Sequence, residues 1–176
     1  MVHVARIRDV KTRPAPIPPG LGQESVWEYP RPPSLVPSER HVRIEHAGVR
    51  ITDSRRALRV LETAGAPVWY LPEADVGTEH LHHRPDHQTM CEWKGRASYF
   101  DLVIGDMVVP RVAWTYAHPL AGYELLTGRI AFYAGRVELA TVDGERVRPQ
   151  PGGFYGGWVT DDIVGPFKGE PGTEGW

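Results

Sequence analysis

The stretch HVRIEHAGVRIT, residues 41–52, alternates apolar and polar side chains on both sides of a short turn. Val42 and Ile44 alternate with Arg43 and Glu45, His46-Ala47-Gly48 turns the chain, and Val49 and Ile51 resume the pattern. In a strand successive side chains point to opposite faces, so a period of two reads as a β-hairpin with one face in a core.

The same period recurs downstream. Val68 to Leu71 reads as a short buried strand closed by Pro72. Arg96 to Ile104 alternates, and Gly105-Asp106 turns it into Met107 to Thr115, where Pro110 marks an edge position or a bulge. Arg129 to Tyr133 and Val137 to Val142 are expected to pair through Ala134-Gly135, and Asp143-Gly144 turns the second of them into Glu145 to Val147. Roughly eight short strands at this spacing predict a mainly β domain of curled antiparallel sheets or a barrel. A short turn or helix is expected at Leu120 to Leu126, and residues 73–86 are polar, histidine-rich and without a clear period.

One segment reads differently. In DSRRALRVLET, residues 53–63, Asp53 or Ser54 is a plausible N-cap, and Ala57, Leu58, Leu61 and Ala64 form an apolar stripe that Gly65 and Pro67 stop. This predicts one α-helix at about 54–64. Arg55, Arg56 and Arg59 then fall on its outer side, as a solvated face or an anion site.

The ends are irregular. Eight prolines lie between Pro14 and Pro37, which reads as an extended arm that Trp27 and Tyr29 anchor. After Val147 the chain is dense in glycine, proline and aromatics, as in a loop or latch. The expected organisation is a proline-rich arm at 1–23, a single domain at 24–168 and a tail at 169–176.

Composition narrows the function classes. The chain has 176 residues and a net charge of −2, which supplies no overall field for nucleic acid or an anionic membrane. Neither partner is expected. The first twenty residues hold no long apolar run, so no signal peptide or membrane span is read there. The single cysteine, Cys91, excludes an internal disulfide and any four-cysteine zinc site, and cytoplasmic residence is expected. Lys11, Lys94 and Lys168 are the only lysines, against 17 arginines, so Lys94 stands out.

Three stretches, ESVWEYPRPP at 24–33, CEWKGRASY at 91–99 and PGGFYGGWVT at 151–160, together resemble the uncharacterised bacterial and fungal "KGxAxY" domain-of-unknown-function family. The segments at 53–63, 68–72, 113–116 and from Phe132 to Gly144 are also similar, so the resemblance covers about residues 24–168. It implies a β-tent-like fold, in which two antiparallel sheets meet at an angle, as in methionine-sulfoxide reductase B and the thalidomide-binding domain of cereblon. Those proteins carry a four-cysteine zinc site, which this chain cannot supply. Some classifications label the family nucleotidyltransferases. The chain has neither a P-loop nor a Gly-Ser pair followed by paired aspartates.

Cereblon-like tents hold a small cyclic ligand in an aromatic cage, which makes Trp93, Tyr99, Trp114 and Trp158 candidate walls here. Lys94, Gly95, Ser98 and Tyr155 complete the candidate ligand site, for a small polar or anionic metabolite. Glycine pairs around Phe154 and Tyr155 permit close backbone approach to another strand or to a ligand. The competing reading is that these rings simply build the core. Cys91 and Lys94 are candidate catalytic residues, Lys94 activating the thiol as a nucleophile, against the alternative of a small buried cysteine. His80, His82 and His87, with His83 nearby, are a weaker candidate metal cluster, against a solvated loop. The leading function is therefore a small-molecule binding module. An enzyme of nucleotidyltransferase-like or Cys91-dependent type, or an accessory module that recognises a partner through the arm, are the alternatives. Composition does not set an oligomeric state.

Overall fold

The computed structural model describes residues 14–173 and 175–176, so residues 1–13 of the expected arm lie outside the described residues. In chain order the strands are β1 (Glu24–Ser25), β2 (Ser34–Ser38), β3 (Val42–His46), β4 (Val49–Ser54), β5 (Ala57–Leu61), β6 (Val68–Pro72), β7 (Leu81–Cys91) and β8 (Gly95–Ile104). They continue as β9 (Met107–Thr115), β10 (Arg129–Phe132), β11 (Leu139–Val142), β12 (Glu145–Arg146), β13 (Arg148–Pro149), β14 (Trp158–Val159) and β15 (Ile163–Val164). Among the described residues the only helical segments are single 3-10 turns, and none is long and apolar enough to cross a membrane.

Two open antiparallel sheets dominate. One has seven strands in the order β2-β5-β6-β10-β9-β8-β7, the other four in the order β12-β11-β3-β4. The short strand β1 pairs parallel with β15, and β13 pairs antiparallel with β14. The β3–β4 hairpin forms as its alternation predicts. Ala47 and Gly48 both take positive φ, the conformation that a tight hairpin turn requires.

The main core lies between the two sheets. Val42, Ile44 and Ile51 from the smaller sheet meet Trp69, Leu71, Val112 and Phe132 from the larger one. Trp158 is part of this core, and its indole N–H donates to the Phe132 carbonyl at 2.9 Å. The other face of the large sheet carries Leu58, Val60, Tyr70, Tyr99 and Trp114, the neighbours in sequence of residues that face inward. A third cluster packs Val26, Trp27 and Tyr29 against Leu61, Ala64 and Ile163, so both expected anchors are buried.

The predicted helix at about 54–64 does not form. β4 ends at Ser54 and the chain re-enters the large sheet as β5, between β2 and β6, with all five of its residues buried. A central strand covered on both faces carries apolar residues at consecutive positions, and Ala57, Leu58, Val60 and Leu61 satisfy that pattern as readily as a helical stripe. Arg59 is therefore buried inside a sheet. Its guanidinium donates to both Glu24 oxygens, at 3.1 and 2.7 Å, and lies over the Trp69 ring. Arg56 pairs with Asp75 and Arg55 is exposed, so the three arginines share no common face.

One further expectation is corrected. β10 and β11 are not a hairpin: β10 joins the large sheet and β11 the small one, and the turn Ala134–Arg136 carries the chain between them. Pro110 lies, as expected, in the half of β9 that pairs only with β8, since β10 pairs with Ala113 to Thr115 alone. It falls at a bulge where the β8–β9 register shifts between Phe100 and Leu102, and Arg111 takes positive φ. The unassigned residues 73–86 form two 3-10 turns and the start of β7, the polar edge strand.

Candidate functional site

A cavity of about 620 Å³ opens on the outer face of the seven-stranded sheet. Its floor follows from register. Tyr99 on β8 stands opposite Trp114 on β9, Trp114 opposite Ala131 on β10, and Ala131 opposite Tyr70 on β6, so the four share one row and one face. Alanine in the middle leaves room for the flanking rings to meet across it. The Trp114 indole N–H donates to the Tyr70 hydroxyl at 3.0 Å, and the two rings pack edge to face at 6.1 Å. Tyr116, just beyond β9, adds a ring 6.3 Å from Tyr70.

The turn from β7 to β8 forms one wall and brings Cys91, Trp93 and Lys94 to the cavity. Gly95 permits that turn at φ +95, where a Cβ would stand 3.2 Å from the Leu120 side chain. The Lys94 backbone is fixed by the Leu120 N–H, 3.1 Å from its carbonyl. Lys94 is only 9% exposed, and its ammonium lies 6.0 Å from the Tyr116 ring centroid. Among the described residues the Lys94 ammonium has no hydrogen-bond or ion-pair partner.

The opposite wall comes from the glycine-rich loop, through Phe154, Tyr155 and Gly156, and from Lys168. Lys168 is buried as Lys94 is, but it is paired: its ammonium sits 2.9 Å from Glu62 Oε1 and 4.9 Å from the Tyr155 ring centroid. Arg31 approaches the same Glu62 oxygen at 3.6 Å. Burial pushes the Tyr70 and Tyr116 hydroxyls far above the usual tyrosine range, so both remain O–H donors.

The candidate residues thus divide. Cys91, Trp93, Lys94, Tyr99, Trp114 and Tyr155 line one cavity. Trp158 lies in the inter-sheet core, and Ser98 is on the sheet face opposite to Ala97 and Tyr99. His87 packs its ring against Tyr99 at 4.7 Å, whereas His82 is exposed on β7 and His80 ends a 3-10 turn. Among the described residues no three His, Cys, Asp or Glu side chains come together as a metal site would need. The site also uses Tyr70, Tyr116, Glu62 and Lys168, which sequence reasoning left out. The scarcity of lysine was the available signal for Lys168.

The architecture is that of a mainly β domain built of open antiparallel sheets, with a ligand-sized cavity on the face of the larger one. Residues 34–143, more than half of the chain, match the family described as a domain of unknown function (DUF427), and the chain belongs to that family. The short label of this family refers to nucleotidyl transfer. The matched residues include the cavity floor and Lys94, while Arg31, Tyr155 and Lys168 lie outside them. No curated protein matches the chain.

Proposed function

We propose that this protein binds a small polar or anionic metabolite in the aromatic-lined cavity beside Lys94. The observation that carries the reading is Lys94 itself, a lysine only 9% exposed whose ammonium has no hydrogen-bond or ion-pair partner among the described residues and which lines a cavity. Such an ammonium keeps its donors for a ligand, and a ligand that brings a negative or strongly accepting group supplies the pair. The volume falls within the range of small-molecule sites, roughly 300–1,000 Å³. The two sheets support a β-tent-like reading of the fold. The proposed organisation is an arm at 1–23, a domain at 24–168 and a tail at 169–176, of which Gly175 and Trp176 line the cavity, in a cytoplasmic protein.

The test is a thermal-shift screen against nucleotides, nucleosides, cyclic imides and amino-acid derivatives, since a ligand of the folded state raises its melting temperature by mass action. A hit whose shift disappears in a folded Lys94→Ala variant supports the proposal. Hits indifferent to Lys94, or none, count against it.

A second reading is an enzyme in which Cys91 is the nucleophile. It is favoured by one observation, that Cys91 and Lys94 line the same cavity.

A further inference from the structure

We infer that the Lys94 end of the cavity is an oxyanion subsite, and that the ligand is a flat ring bearing a carboxylate or phosphate. The inference rests on the proposed binding function and narrows it to a ligand class. It starts from an imbalance of donors over acceptors. Lys94 presents an ammonium with no partner, and the Tyr116 hydroxyl also has no hydrogen bond among the described residues. The Tyr70 hydroxyl accepts from Trp114, which leaves its own proton without an acceptor. Three O–H or N–H groups therefore belong to one contiguous group of side chains, joined by the Lys94–Tyr116 and Tyr116–Tyr70 contacts at 6.0 and 6.3 Å.

Protein acceptors do not relieve this excess. The Thr89 hydroxyl is engaged with Tyr99 at 2.9 Å. Glu62 is held by Lys168 and Arg31. Glu92 is exposed on the turn and makes no ion pair with Lys94. A ligand satisfies these donors only by bringing acceptor oxygens, and an oxyanion offers several on one centre. Around the donors the lining is aromatic, with the Tyr99, Trp93 and Trp114 rings, and such surface favours a planar, apolar ligand body.

Benzoate, phenyl phosphate and the neutral control benzamide test this by isothermal titration calorimetry on the full chain. Wild-type protein is expected to bind at least one oxyanion about tenfold or more tighter than benzamide, as a charge-assisted hydrogen bond implies. The preference between benzoate and phenyl phosphate tells a planar from a tetrahedral group. Tyr116→Phe is the cleaner variant, because its hydroxyl has no hydrogen-bond partner among the described residues and its removal breaks no contact of the fold there. It is expected to weaken oxyanion binding by about tenfold and benzamide, whose single carbonyl oxygen is a neutral acceptor, by clearly less, with Lys94→Met weakening oxyanion binding further. Benzamide binding as tightly as the oxyanions, or oxyanion binding indifferent to Tyr116→Phe, overturns the inference. So does failure of both oxyanions to bind at millimolar concentration. A neutral hit from the thermal-shift screen that still requires Lys94 would then leave the binding function standing without the oxyanion subsite.

Discussion

Gly156 lies flat against the indole of Trp114, so closely that a Cβ at that position would stand 2.0 Å from the ring carbon Cη2. Trp114 is itself held by its hydrogen bond to Tyr70 and by Tyr133, whose ring centroid is 4.5 Å away. The ring cannot yield without disturbing the row that forms the cavity floor. Close approach thus explains Gly156, and also Gly152, whose Cβ would stand 1.9 Å from the Gly169 carbonyl oxygen, whereas Gly153 meets nothing within 4 Å and answers instead to its φ of +70. Gly157 is like Gly156, with a Cβ position 2.2 Å from Gln150 Oε1 and 2.6 Å from the Ala66 carbonyl.

Gly156→Ala should accordingly destabilise the protein by about 1–3 kcal/mol, the usual effect of forcing a methyl into a packed site. Thermal unfolding checks this, and tryptophan emission should shift as Trp114 is displaced. An unchanged melting temperature would mean that the loop lifts away freely.

Buried Arg59 and half-buried Arg40 predict an acid-sensitive fold. Partial burial acts to raise the Glu24 carboxyl, but hydrogen bonds from Arg59 and Tyr29 outweigh it and hold it below its ordinary 4.5. Asp143 and Asp162 are likewise pushed up by burial, yet lie below their ordinary 3.8, Asp143 chiefly through Arg40 and Asp162 through Thr160 and Arg40. A carboxylate whose folded pKa is depressed contributes stability above its unfolded pKa, and that stability is lost as pH falls through the folded value. Denaturant midpoints should therefore decline as pH falls below 4.5 and continue to fall below 3.8. Glu24→Gln should cost about 1–3 kcal/mol at neutral pH, less than a fully buried pair because Glu24 is partly exposed, and should flatten the acid slope. An acid slope identical to that of the wild type would overturn the role given to Glu24.

Cys91 is half-buried on the cavity wall. Iodoacetamide should alkylate it more slowly in the native protein than in the unfolded chain, and more slowly still with a cavity ligand bound. Mass spectrometry of timed samples reads this out. Alkylation much faster than that of a free thiol would instead favour the reading in which Cys91 is a nucleophile.

The hairpins of β3–β4, β8–β9 and β11–β12 were legible because their alternation and turn residues are local signals. β5 was not. Its burial on both faces erases the period of two, and Arg59 in its middle looks solvated until Glu24, 35 positions away in sequence, is placed against it. The site shows the same division. CEWKGRASY pointed to Cys91, Trp93, Lys94 and Tyr99, which follow one another through the β7–β8 turn and into β8. Tyr70, Tyr116 and Glu62 join them only through strand register and packing, which no local pattern specifies. Trp158 sits two residues from Gly156 yet faces the other side of the large sheet, because the chain passes into β14 between them.

Two buried lysines on one cavity should respond oppositely to removal. Lys168 is paired with Glu62, and its carbonyl accepts from the Gln150 amide at 2.9 Å. Lys168→Met leaves Glu62 without its nearer cation and should lower stability by about 1–3 kcal/mol, discounted because Glu62 is partly exposed. Lys94 has no such partner. Lys94→Met removes an ammonium that no described protein group pairs and keeps most of the side-chain volume. Without ligand it should leave the melting temperature unchanged or raise it. Thermal unfolding of the two variants side by side decides the matter. If Lys94→Met destabilises the free protein as much as Lys168→Met does, Lys94 is a structural residue, and its burial no longer argues for a ligand.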